Sequence, residues 1–411
     1  MWEILTLIRF VIIQGLGLFI AIIVAGIFLF LVLRKLHSLR DAILLFIIFF
    51  GAFLFLYVPQ GLPSSIQYPF SLTSFGPADG PVLPLGNVIK FFKEIKNMEH
   101  VSDIARDPND IPPPITRTEP ETVKINMEAK EVIADMAPGI VMNYWTFDSK
   151  IPGPFLRVRQ GDTVELTLKN DASSLHHHSI DLHAVTGPGG GATLTDVAPG
   201  ESKTMIFKAL NPGLYVYHCA TPNVPSHITH GMYGLILVEP ESGLPLVDKE
   251  FYVMQGEFYT SGALGKRGLQ IFDGKAMIDS RPQYVVFNGK TKSLIDNIHA
   301  EVGDTVRLFV GNGGVNLISS FHVIGEIFDR VYPEGAIGSL PHANVQTTLV
   351  PAGGAVITEF ALQVPGRFIL VDHALARLDR GLWGFLNVSG EDNPEVFRIP
   401  EGFSLSRNSG H

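Results

Sequence analysis

Only one of the 411 residues is a cysteine, Cys219. A lone thiol excludes a disulfide within the chain and leaves two uses, burial on an apolar strand or metal binding. Charge is scarce too. Only 17% of residues are charged and the net charge is −9, which argues against a nucleic-acid partner. In place of charge the chain carries 46% hydrophobic residues, with 41 Gly and 28 Pro. That mixture predicts turn-rich β structure for most of the chain, and the positive mean hydropathy points to membrane spans as well.

The apolar residues concentrate near the N terminus. Residues 10–33 form an apolar run broken only by Gln14, long enough to cross a bilayer with some tilt. A second run covers about 42–58, after the basic loop RKLHSLR at 34–40. The length of the first run, the basic flank on its far side and the second run argue against a cleaved signal peptide. The expectation is an α-helical transmembrane hairpin within residues 1–60. Arg34, Lys35 and Arg40 would stay cytoplasmic. The hairpin would then sit in the cytoplasmic (inner) membrane, contacting lipid, with everything after it on the periplasmic side. Residues 61–117 read as a connector with a possible short amphipathic helix at NVIKFFKEIKNMEHVSDIA, and 392–411 as a tail.

From about Thr118 short β-branched and aromatic runs alternate with turn signals, and the pattern occurs twice. GDTVELTL at 161–168 is echoed by GDTVRLFV at 303–310, and VAPGESKTMIFKALNPGLYVYHCA at 197–220 by LVPAGGAVITEFALQVPGRFILVDHA at 349–374. Two tandem Greek-key β-sandwich domains are expected, 118–242 and 243–391. In the second, Asp372 stands about where Cys219 stands in the first, beside His373 and with His322 upstream.

Cys219 lies in YHCATPNVPSHITHGM, with His227 eight residues on and Met232 five further. A thiolate, imidazoles and a thioether are the soft donor mix of a blue-copper site. The second imidazole must come from upstream HHHSIDLH. Side chains on a strand alternate between faces. His218 and Cys219 therefore point to opposite sides of their strand, and His178 and His183, an odd number apart, do the same. Pairing Cys219 with His178 leaves His218 with His183 on the other face, where Asp181 adds a carboxylate. A second metal site without sulfur is expected there, joined to the first by one peptide bond. His176 and His177 are expected to be loop or surface residues.

These motifs, H-x-x-D-x-H at 178–183, HCA at 218–220, HITHGMYGLILVEP at 227–240, FHVIGEIFD at 321–329 and VDHA at 371–374, resemble those of copper-containing nitrite reductases of the shorter-loop branch. The resemblance covers about residues 118–391 and implies two cupredoxin-type domains. It implies type 1 copper held by His178, Cys219, His227 and Met232. It further implies type 2 copper held by His183 and His218, with His373 from the neighbouring subunit of a homotrimer, two coppers per subunit in all. Asp181 and His322 match the family's catalytic pair, and Ile324 matches the residue roofing the nitrite pocket. The Cys-to-His interval is eight, where other branches carry seven or nine. The predicted hairpin is a further departure from typical members.

Residue chemistry supports the same reaction independently. Nitrite reduction to nitric oxide takes one electron and two protons, and a three-imidazole copper keeps a coordination position open. Asp181 and His322 are placed to supply protons. A multicopper oxidase would need HxH pairs and an HCH motif, which the chain lacks, and a binuclear copper centre would need two cysteines. The alternative from another class is a membrane-tethered electron carrier with type 1 copper alone. Quinol and a soluble cytochrome c or cupredoxin both stand as electron donors.

Overall fold

The computed structural model describes residues 97–398, together with residues 23, 26, 47, 93–95 and 400. The expected hairpin and most of the connector lie outside the described residues. Among the described residues no helix is long and apolar enough to cross a membrane. Residues 97–105, the second half of the segment read as an amphipathic helix, are not helical, although Lys93 and Glu94 are. His100 bridges Ile133, Ala105 bridges Ile151, and Ile104 between them is fully buried. Backbone pairing and burial of Ile104 hold this stretch against the sandwich and override its helical periodicity.

The first half of the β structure comprises β1 (Thr122–Ala137), β2 (Ile140–Phe147), β3 (Leu156–Arg159), β4 (Thr163–Asn170), β5 (Asp181–Leu182), β6 (Ser202–Lys208), β7 (Gly213–His218) and β8 (Tyr233–Glu239). The second comprises β9 (Lys249–Phe258), β10 (Gly268–Gln270), β11 (Tyr284–Phe287), β12 (His299–Glu301), β13 (Thr305–Asn312), β14 (Ser319–Ile324), β15 (Phe328–Tyr332), β16 (His342–Val345), β17 (Thr347–Val350), β18 (Ala355–Ala361), β19 (Gly366–Asp372) and β20 (Trp383–Ser389). Among the described residues these strands form four sheets, ordered β10-β2-β1-β4-β6, β3-β8-β7-β5, β11-β9-β13-β18-β15-β16 and β12-β20-β19-β14-β17.

The sequence echo is also an echo of pairing. β1 runs parallel to β4 and β4 antiparallel to β6, as β9 runs parallel to β13 and β13 antiparallel to β18. β3 is parallel to β8 and β8 antiparallel to β7, as β12 is to β20 and β20 to β19. Each half is thus a sandwich of two sheets with its own apolar interior. Cys219 and Met232 lie in the first interior among Leu166, Ile180 and Ile236; the second is built on residues such as Phe251, Leu308 and Phe321. A third cluster, including Tyr144, Leu235, Met254 and Ile357, packs the sandwiches together.

Buried ion pairs reinforce that junction. Arg157 reaches Glu239 at 2.5 Å and Glu250 at 2.8 Å, and Arg307 reaches Glu250 at 2.7 Å and Glu359 at 2.5 Å. Arg330 adds a third cation on Glu359. Arg330 is half-exposed, so it compensates the buried Glu359 carboxylate from the surface, and each of the three carboxylates has a cationic partner.

Candidate metal centres

β7 ends at His218, and alternation turns the next side chain inward. Cys219 is fully buried, whereas His218 is half-exposed on the outer face. His178 enters from the segment before β5, where its backbone exchanges two hydrogen bonds with Val197. His227 comes from a short helix, α1 (Val224–Thr229), whose entry is set by Asn223 in the left-handed region and by Pro225. The ligand atoms of His178, Cys219 and His227 lie within 4.8 Å of one another, and all three residues are buried. Cys219 Sγ is 3.2 Å from His227 Nδ1 and 4.0 Å from His178 Nδ1, and the two Nδ1 atoms are 3.2 Å apart. Met232 is fully buried beside them, its carbonyl accepting from the Cys219 N–H.

Burial alone would push the Cys219 thiol up, but the His227 and His178 imidazoles hold it well below the usual thiol range. The Ser179 N–H also donates to Sγ, at 3.4 Å. A buried thiolate facing two imidazole nitrogens, with a thioether-bearing residue alongside, fits copper by the chemistry of its donors.

On the outer face the ligand atoms of Asp181, His183 and His218 form a second group within 4.8 Å. His183 Nε2 and His218 Nε2 are 3.1 Å apart. β5 pairs with β7 so that Asp181 sits opposite His218. His218 Nδ1 donates to the Cys219 carbonyl at 3.0 Å, which leaves Nε2 as the free ligand atom. A cleft of about 280 Å³ opens beside His183 and His218 and is also lined by Tyr233, Gly313 and Gly353.

His322 and His373 meet elsewhere, on the second sandwich. Their rings are 5.8 Å apart in a cavity of about 460 Å³ that also includes Gln346 and Thr347. His322 Nδ1 donates to the Gln346 carbonyl at 2.6 Å, so Nε2 is the nitrogen left for chemistry. Ile324 is two residues along β14 from His322, on the same face. His373 does not belong to the group formed by Asp181, His183 and His218. Asp372 is buried; it is paired with Arg377 and accepts from the Ser320 and Ala374 N–H groups, a structural carboxylate.

Several contacts around the two centres escaped the sequence reading. Trp145 packs edge-on against His227, with ring centroids 4.6 Å apart, and stacks on His230 at 4.2 Å. His176, expected to be a loop or surface residue rather than a ligand, lies in a loop outside both ligand groups, half-buried with its ring 4.3 Å from Trp145; His177 is exposed. Glu131 is buried beneath them. Burial opposes its ionisation, but His176 and His178 hold its carboxyl far below the usual range. Gly190 crowds Asp181: a Cβ at this left-handed position would fall 1.7 Å from Asp181 Oδ1. No local spacing in the sequence signals any of these contacts.

Tandem β sandwiches with a thiolate–imidazole cluster in the first and a sulfur-free imidazole–carboxylate group beside it define a two-domain cupredoxin-type copper protein. A family model described as multicopper oxidase matches residues 128–243, the first sandwich. The chain is 54% identical over 290 residues to the copper-containing nitrite reductase of Neisseria gonorrhoeae, covering 70% of this chain and 74% of that one. The chain belongs to the copper-containing nitrite reductase family. It is 35% identical to the Neorhizobium galegae member, over 68% of this chain and 78% of that protein. The copper nitrite reductase structure from Nitrosomonas europaea superposes with a TM-score of 0.59 at 34% identity, over 68% of this chain and 98% of that one. Its cofactor is accordingly copper, as type 1 and type 2 sites, for which the two ligand groups are the candidates.

Proposed function

We propose that this chain reduces nitrite to nitric oxide, with electrons entering at the buried thiolate cluster and nitrite reacting at the outer imidazole surface. One observation carries the reading: His218 and Cys219 are consecutive, yet belong to two different ligand groups on opposite faces of one strand. The peptide between them is a short covalent route for an electron. His178, Cys219, His227 and Met232 hold the type 1 copper. His183 and His218 hold the type 2 copper together with His373 of a neighbouring copy in a homotrimer, giving two coppers per subunit. The separation of His373 from His183 and His218 within one chain supports that arrangement.

Copper, when bound, supplies the one-electron redox step at the first site and a Lewis acid at the second. The remaining chemistry belongs to side chains. Nitrite gains one electron and two protons, one N–O bond breaks, and water and nitric oxide leave. Asp181, beside His218, hydrogen-bonds the nitrite oxygen and delivers a proton. His322, whose ring lies 5.8 Å from that of His373 and so arrives with it from the neighbouring copy, has its Nδ1 committed to the Gln346 carbonyl and offers Nε2 as the second proton site. Ile324 roofs the pocket and excludes water.

The purified protein should carry two coppers per subunit and evolve nitric oxide from nitrite with an artificial donor. One copper and no turnover would favour the electron-carrier alternative. If His373 is shared across a boundary, dissociating the trimer should release type 2 copper and spare type 1. In this reading residues 1–60 anchor the enzyme in the inner membrane with the sandwiches on the periplasmic side. That placement favours quinol as donor over a soluble cytochrome c or cupredoxin. A chain beginning near Arg117 should then keep artificial-donor activity and lose quinol-driven activity; equal quinol activity with and without the N-terminal segment refutes the quinol link.

A further inference from the structure

We infer that Glu131 is a positioning residue for the type 1 centre, acting through the outer nitrogen of His178 and thereby setting the reduction potential of the bound copper. The inference rests on the assignment of His178 as a copper ligand. Glu131 lies on β1 directly opposite Trp145 on β2, and this register turns both toward the cluster. It is 1% exposed. A carboxylate so deeply buried is expensive unless several donors compensate it.

One of its oxygens is heavily used. Oε1 accepts from Leu175 N–H at 2.7 Å and from His176 N–H at 2.9 Å, and it lies 3.0 Å from His176 Nδ1. The carboxylate therefore clamps the loop that delivers His178. The same Oε1 is 3.5 Å from His178 Nε2, the outer limit of a hydrogen bond. Glu131 Oε2 and His178 Nε2 are both buried without a hydrogen-bond partner. A spare carboxylate oxygen and an unpartnered imidazole nitrogen are thus buried side by side, and the inner Nδ1 of His178 faces Cys219. A ligating imidazole commonly donates its outer N–H to a carboxylate or carbonyl, which fixes the ring and strengthens it as a donor.

The sign of the effect follows from charge. An anion paired to a ligand imidazole stabilises the oxidised copper more than the reduced. Removing the anion while keeping size and hydrogen-bonding atoms should favour the reduced form. Glu131→Gln in the full, copper-loaded protein should therefore keep the visible thiolate-to-copper band and its copper content. Its reduction equilibrium should shift about tenfold toward the reduced state, a rise of about 59 mV for one electron. A folded, copper-loaded variant with an unchanged potential overturns the proposal. A wild-type protein without the visible band would instead defeat the site assignment, which keeps the two failures distinguishable.

If Glu131→Gln does not fold, the wild-type protein still decides. In the reduced, copper-loaded state, nitrogen-15 NMR should show a downfield, slowly exchanging proton on His178 Nε2. A rapidly exchanging or absent proton there overturns the proposal.

Discussion

Two neighbouring glycines offer a matched test of Asp181. Gly189 has φ 61° and ψ 23°, and Gly190 has φ 54° and ψ 15°, both left-handed. Alanine at either position meets the same backbone penalty, roughly 1–2 kcal/mol. Their surroundings differ. A Cβ on Gly189 would meet nothing within 4 Å, while one on Gly190 would lie 1.7 Å from Asp181 Oδ1 and 3.2 Å from the Leu182 backbone nitrogen. Ordinary contact begins at 3.4 Å, so the carboxylate must move by well over an ångström to clear it. A misplacement of about 1 Å at a reacting group can cost on the order of 10²-fold in rate. Gly190→Ala should therefore lower nitrite turnover about 10²-fold. Gly189→Ala should stay close to wild type in turnover, although urea unfolding should register a backbone loss of roughly 1–2 kcal/mol in each. Both variants should keep the visible band, since Cys219 lies on the opposite face. Equal turnover in the two variants, or a folded Gly190→Ala at wild-type rate, would refute the assignment of proton delivery to Asp181.

Cys219→Ala should abolish the visible band and internal electron delivery while a type 2 copper signal persists in electron paramagnetic resonance. Arg307→Met leaves the buried Glu250 and Glu359 short of one cation, and denaturant titration should register a loss of about 3–5 kcal/mol. Glu326 is raised by burial and then by Asp329, from 4.5 to about 7. Because the folded value exceeds the unfolded one, its stabilisation is complete below about pH 4.5 and is lost as pH rises through 7. Glu326→Gln should flatten the stability profile across that window, and pH-dependent thermal melts that superpose on wild type would refute it.

Much of the architecture was legible because it is written in short-range pattern. The repeat of GDTVELTL as GDTVRLFV reappears as two strands with the same neighbours, β4 and β13. The period of two sets Cys219 and His218 on opposite faces, and the sheet packing makes the Cys219 face the buried one. The soft donors Cys219, His227 and Met232 sit within one turn-and-helix segment, so their chemistry could be read from spacing alone. Residues 97–105 show the limit of such reading, since their helical periodicity gave way to pairing with Ile133 and Ile151.

Glu131 shows the same limit at the site. In KEVIAD it looks like one more strand charge, and nothing near it in sequence marks it for burial. The register of β1 on β2 sets it opposite Trp145, and the segment before β5 folds back to bring His176 and His178 over both. Gly190 against Asp181, and His373 apart from His183 and His218, are contacts of the same kind. Donor identity and strand alternation are local properties, so the sequence by itself determined the copper chemistry and the opposed faces of His218 and Cys219. Strand register and loop closure join residues far apart in the chain, so only the tertiary structure decided which buried carboxylate lies against His178 and which glycine leaves room for Asp181.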